Sequence, residues 1–125
     1  GAKIAYETII TNFASGNLKD IKYLLDKNVF NQFDEAIRDR KSKSFLSETT
    51  FIGINSADIK NHVKNNNILE VTVNFVSEII SCVRDKDKKI ISGDPDVIKK
   101  VKDTWKFSKD IKSNNPNWLL IDTQV

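Results

Sequence analysis

Disulfide chemistry is closed to this chain, because Cys82 is its only cysteine. The paired C-x-x-C spacing of a zinc site is absent with it, and a lone His62 offers no second soft ligand, so no metal or other cofactor is expected. No apolar run approaches the roughly 20 residues that span a bilayer as a helix. Gly1-Ala2-Lys3 also lacks the apolar stretch of a signal peptide. The pattern nevertheless starts abruptly in what reads as a helix, giving the expectation of a domain excised from a longer chain with an anchor upstream. Internal repeats and low-complexity segments are missing too, which excludes a solenoid.

What is present has the balance of a folded domain. Of the 125 residues, 39% are hydrophobic and 30% charged, far from the composition of a disordered chain, and the length fits one domain over 1–125 with one core. The net charge of +3 biases the surface towards anionic partners, but without the sharp basic stripe of a dedicated nucleic-acid binder.

The first third reads as helical. Ile4, Ala5, Ile9, Ile10 and Phe13 recur at three- and four-residue steps until Gly16 interrupts them. Asn17 is suited to cap a second short helix carrying Leu18, Ile21, Leu24 and Leu25. Val29, Phe30, Phe33 and Ile37 repeat the pattern, closed by Arg38-Asp39-Arg40-Lys41.

From Phe45 the chain turns β-rich through Ile59, and Asn65-Asn66-Asn67 supplies turn chemistry for a hairpin. Leu69, Val71, Val73 and Phe75 alternate cleanly, after which both faces become apolar. Asp85 to Lys89 reads as a solvated turn, and Gly93-Asp94-Pro95 as a breaker. Between Val97 and Ile111 the odd positions Val97, Val101, Trp105, Phe107 and Ile111 predict a core face, while Lys100, Lys102 and Lys106 predict a wet, basic one. Asn114 to Asn117 is a last turn before Trp118-Leu119-Leu120-Ile121. Helices first and strands after them predict an α+β fold, with N-terminal helices packed on a curved antiparallel sheet of about four strands.

Asp103-Thr104-Trp105-Lys106-Phe107-Ser108-Lys109, followed by Asn115-Pro116-Asn117-Trp118-Leu119-Leu120-Ile121-Asp122-Thr123, resembles the closing signature of the Tim-forty-four-like domain family. Phe13 to Asn17, Leu24-Leu25, Val29-Phe30, Phe33 and Arg40 are similar to its helical part. Phe51, Gly53, Ala57, Ile59, Val71, Val73, Phe75 and Ser92-Gly93 are similar to its middle strands. Lys109 stands where the family pattern has arginine, and Asn115 where it has aspartate, which bears on a bidentate contact and on a turn hydrogen bond respectively. The resemblance implies a cystatin-like cone related to the nuclear-transport-factor-two superfamily. It also implies a non-enzymatic adaptor or tether linked to protein transport, peripheral to a bacterial cell membrane or the mitochondrial inner membrane. The implied partners are anionic lipid and a protein of a translocation or assembly machinery, with nucleic acid reached only through a ribosome.

Two candidate surfaces follow. Phe33, Phe75, Asp103, Trp105, Phe107 and Trp118 are candidates for a pocket or partner site, with core packing as the competing reading of the aromatics. Lys100, Lys102, Lys106, Lys109, Arg84 and Lys86 are candidates for a surface facing anionic lipid. A cone domain that binds or converts a small apolar molecule is one alternative, with Asp103 as its base, though no tyrosine or histidine shares that strand to stabilise an oxyanion; a ribosome or RNA attachment module is another.

Overall fold

A glycine in left-handed backbone sets the first boundary. In a computed structural model, which describes residues 1–124, α1 spans Ala2–Ser15 and stops where Gly16 takes φ 80°. The Gly16 amide then donates to the Phe13 carbonyl and the Asn17 amide to that of Asn12, the double closure of a Schellman motif. The face that α1 buries is centred on Tyr6 and Ile9. Ile4, expected in that stripe, is 73% exposed, because the sheet lies under the Tyr6 side of the helix.

The second helix is a tight 3-10 turn, Lys19–Leu24, whose three-residue period places Leu18, Ile21 and Leu24 on one buried line. The N-cap position falls on Leu18 and not on Asn17 as expected, and Asn17, one residue earlier, accepts from the Asp20 amide at 3.4 Å. The next helix, α2, spans Lys27–Ser42 and is capped by Asp26, whose carboxylate accepts from the Val29 amide at 2.8 Å. Val29 and Ile37 are its buried residues, and Phe30 and Phe33 pack partly against the same core.

Four antiparallel strands follow in the order β1-β2-β3-β4: Leu46–Asn65, Ile68–Arg84, Ile90–Asp110 and Leu119–Asp122. The first hairpin turns at Asn66, φ 55°, a conformation asparagine tolerates. Register shifts at Phe51/Gly53, Ile54/Ser56 and Ile59/Asn61 bend β1 along its length and curve the open sheet.

Gly93-Asp94-Pro95 does not end a strand, as it was expected to. It opens a bulge inside β3, where Ser81 pairs with Asp94 and Ile79 already pairs with Lys99. The chain loops out and resumes because β2 continues unbroken alongside. The expected core face of β3 is correspondingly shorter. Val97, in the bulge, and Ile111, past the strand end, are 53% and 46% exposed, while Trp105 and Phe107 are buried.

The core lies between the helices and the inner sheet face. Val73, Phe75, Trp105, Phe107 and Leu120 meet Tyr6, Ile9, Ile21, Leu24, Leu25, Val29 and Ile37. The short β4 locks the helical layer to the sheet, since Leu25 bridges Leu120 and the Asp26 amide donates to the Leu120 carbonyl at 3.0 Å. Among the described residues, no helix is long and apolar enough to cross a membrane.

Candidate functional site

Where the helices stop short of covering the sheet, an open cleft of about 570 Å³ remains. One wall is the start of α1 and the end of the 3-10 helix, with Ile4, Thr8, Tyr23 and Leu24. The floor is the inner face of β1 and β2 at Ala57, Ile59, Val71 and Val73, continued by Phe107. Pro116, Asn117 and Trp118, leading into β4, close the remaining side. The ionisable side chains of this lining are Lys3 and Tyr23, and the rest of it is mostly apolar. Ile4, Tyr23 and Ile59 are 73%, 53% and 69% exposed, an apolar surface that the described residues leave uncovered.

The approach to β4 is held in place locally. The Asn115 side-chain oxygen accepts from the Asn117 amide at 3.0 Å, so asparagine makes the turn hydrogen bond at the position where the family pattern has aspartate. The Lys109 ammonium lies 5.9 Å from the centre of the Trp118 ring, pinning the indole at the cleft edge.

The six pocket candidates separate. Phe107 and Trp118 line the cleft. Phe75 and Trp105 are buried in the core beneath it, with ring centres 5.7 Å apart. Phe33 faces Phe13 at 4.7 Å on the helical side of the domain. Asp103 lies outside the lining and accepts a 2.6 Å hydrogen bond from the Tyr6 hydroxyl. A carboxylate can only accept, so the Tyr6 proton is committed to Asp103 and the Ser77 hydroxyl donates to Tyr6 at 3.0 Å. Burial, with the hydrogen bond to Asp103 second, pushes the Tyr6 hydroxyl well above the ordinary tyrosine range.

Tyr6 is the residue sequence reasoning passed over. It falls between the apolar positions of the first stripe, and its only signal was an aromatic ring one helical turn before Ile9 and Ile10. Ile59, at the cleft, carries only a strand signal in the sequence, and Tyr23 falls outside the apolar stripe of its helix.

The basic candidates also divide between faces. Lys100, Lys102 and Lys106 alternate with Trp105 and therefore project from the sheet side away from the helices. Lys100 stands opposite Glu78, Lys102 opposite Val76, and Lys106 between Thr72 and Asp122, so acids interrupt this face. Lys109 belongs to the other side, over Trp118. Arg84 is bonded to Glu48 at 3.0 Å and to the Lys88 carbonyl, and that hydrogen bond draws the Glu48 carboxyl below its ordinary range. Lys86 is exposed in the β2–β3 turn.

Cys82 is buried beside Glu48, and burial pushes its thiol upward, away from the reactive thiolate form. Among the described residues, no three of His, Cys, Asp and Glu are placed to hold a metal ion.

The sequence pattern of the Tim44-like domain matches residues 1–125. The chain belongs to the Tim44-like domain family. Among solved structures, this Tim44-like domain is similar to the one described as the crystal structure of the intermembrane space region of chloroplast protein ARC6. The TM-score is 0.55 and the sequence identity 10%, with 94% of this chain and 90% of that chain covered. That likeness is one of fold. No curated protein sequence matches the chain.

Proposed function

We propose that this Tim44-like domain is a non-enzymatic, membrane-associated adaptor linked to protein transport or assembly at a bacterial cell membrane or the mitochondrial inner membrane. The observation that carries the proposal is the open cleft, whose exposed apolar lining offers burial to an apolar partner segment and no acid–base pair for chemistry. Asp103, the carboxylate a catalytic reading needs, is occupied by Tyr6 and lies outside that lining.

Contact with anionic lipid falls to Lys100, Lys102 and Lys106 on the outer sheet face, helped by Lys86, while Lys109 lies on the opposite side over Trp118. Arg84, neutralised by Glu48, adds little. Each basic group near an anionic surface contributes about 1 kcal/mol, so three of them give a binding that salt weakens.

Flotation with anionic and with neutral liposomes tests the reading, at low and at raised salt, beside a variant carrying Lys100→Glu, Lys102→Glu and Lys106→Glu. The expected outcome is flotation with anionic vesicles alone, weakened by salt and by the variant. Equal flotation with neutral vesicles, or none with either, would defeat it.

A further inference from the structure

The strongest unexplained surface lies at the other end of the sheet from the cleft mouth, along a stretch of β3 that, among the described residues, pairs with β2 on one side and with no strand on the other. β4 pairs with β3 only at Lys106, Phe107 and Ser108, so Ile90 to Lys99 forms a free edge. This edge repeats one chemical arrangement in mirror order. Lys88-Lys89 precede Ile90 and Ile91, which are 40% and 44% exposed, and Lys99-Lys100 follow Val97 and Ile98, which are 53% and 54% exposed.

Pairing brings the two groups together. Arg84 pairs with Ile90 and Ile79 with Lys99, so both groups abut β2 within about 16 Å at the ordinary rise per strand residue. Leu46, 56% exposed, pairs with Arg84 at the same end.

Exposed aliphatic side chains on a free edge usually invite another strand, but this edge is built against that. Pro95 lacks a donor, and the four residues 95–98 bulge out between the Asp94 and Lys99 pairings, so an incoming strand finds no continuous ladder. Gly93 at φ 75° fixes the start of the bulge, where a Cβ would run into the Ser81 carbonyl oxygen. A partner that needs no hydrogen-bond register, takes up aliphatic side chains and carries negative charge fits this tip: an anionic bilayer surface. Between Arg84 and Lys100 there are six basic and four acidic side chains. The carboxylates of Asp85 and Asp94 are turned back onto backbone amides of their own turns, leaving five exposed lysines, Lys86, Lys88, Lys89, Lys99 and Lys100, against the exposed carboxylates of Asp87 and Asp96.

We infer that the β3 bulge at Val97 and Ile98, with Ile90 and Ile91, is a membrane-inserting tip, whose aliphatic side chains enter the interfacial region of an anionic bilayer while Lys88, Lys89, Lys99 and Lys100 meet its headgroups. The inference rests on the membrane-association reading above and gives it a depth and an orientation: the tip inserts, and the cleft points elsewhere, open to its partner.

Vesicles of phosphatidylcholine with phosphatidylglycerol, against phosphatidylcholine alone, provide the test. Val97→Ser with Ile98→Ser changes only exposed positions and is expected to lower binding to the anionic vesicles by about ten-fold, with unchanged circular dichroism. Lys88→Glu with Lys89→Glu is expected to act similarly and to lose its effect at raised salt. A polarity-sensitive dye on Val97→Cys, with the native Cys82 buried, should shift to shorter wavelength when anionic vesicles are added. If the unaltered domain floats but the serine variant floats equally, or the dye does not shift, the tip is wrong and the adaptor reading survives. If the unaltered domain does not float, both fall. Self-association lost in the serine variant, with no vesicle-dependent dye shift, would assign the edge to a second copy of the chain and overturn the lipid assignment.

Discussion

The Tyr6 hydroxyl donates to the Asp103 carboxylate at 2.6 Å across 97 positions of sequence, tying the first helix to the centre of the third strand. Its ring stacks on Phe75 with centres 4.3 Å apart and lies 4.7 Å from Trp105, so one side chain supplies both apolar burial and polar registration. Tyr6→Phe keeps the stacking and strands the Ser77 hydroxyl and the Asp103 carboxylate. The expected loss is about 2 kcal/mol at neutral pH, measured by urea unfolding.

The same pair sets an alkaline limit. An unfolded tyrosine ionises near 10.0, whereas the folded Tyr6 holds its proton to higher pH. Above that point the unfolded state releases a proton that the folded state keeps, so this contribution is complete below pH 10 and drains away as the pH rises further. The stability difference between the unaltered domain and Tyr6→Phe should therefore narrow above pH 10. A constant difference across that range would show that Tyr6 is not the group responsible.

Period and turn chemistry made the layer order readable. Helical stripes ended at Gly16 and at the Arg38 to Lys41 run, and Asn66 marked the first hairpin, because these depend on neighbours in sequence. The cleft was less readable. Phe107 and Trp118 were among its candidates, but Trp105 and Phe75 share their periodicity and chemistry and lie in the core, and only the helical layer above them decides which rings stay uncovered. The bulge at 95–98 was hidden for a related reason: Gly-Asp-Pro punctuates a chain equally well at a strand end and inside a strand, and the continuity of β2 opposite is what distinguishes them.

Gly93 is the position where backbone freedom is indispensable. At φ 75°, with a Cβ meeting the Ser81 carbonyl oxygen and lying 2.8 Å from the Cys82 Cα, neither backbone neighbour can yield cheaply. Gly93→Ala should cost at least about 2 kcal/mol. Gly16→Ala, where the nearest atom would be an Arg40 side-chain nitrogen at 3.5 Å, should cost about 1 kcal/mol from the left-handed backbone alone. Parallel thermal melts separate the two.

Arg40 acts as a clasp between the helices. Its guanidinium donates to the Phe13 and Ala14 carbonyls at 3.2 Å each at the end of α1, a second donor for the Phe13 carbonyl that the Gly16 amide already reaches, and it lies 5.7 Å from the Phe13 ring. Arg40→Ala should lose about 1.5 kcal/mol, and Arg40→Lys about half of that, because an ammonium keeps the charge and gives up the planar fork. Denaturation midpoints of the two variants check this order. Equal losses would mean that the charge contributes nothing.

Ile59 allows the cleft to be tested without disturbing the fold. It lines the floor yet is 69% exposed, so Ile59→Asp removes little packing and should change stability by no more than about 0.5 kcal/mol. A charge in the middle of an otherwise apolar floor would have to be desolvated by any apolar occupant, which is costly without a partner. N-phenyl-1-naphthylamine, a neutral apolar probe, should bind the unaltered domain and perturb the emission of Trp118, which lines the cleft, while Ile59→Asp lowers its affinity at least about ten-fold. Loss of the emission change in Trp118→Phe, with Trp105 retained in the core, locates the probe. Binding that survives Ile59→Asp unchanged would place the apolar site outside this cleft and remove the observation on which the adaptor reading stands.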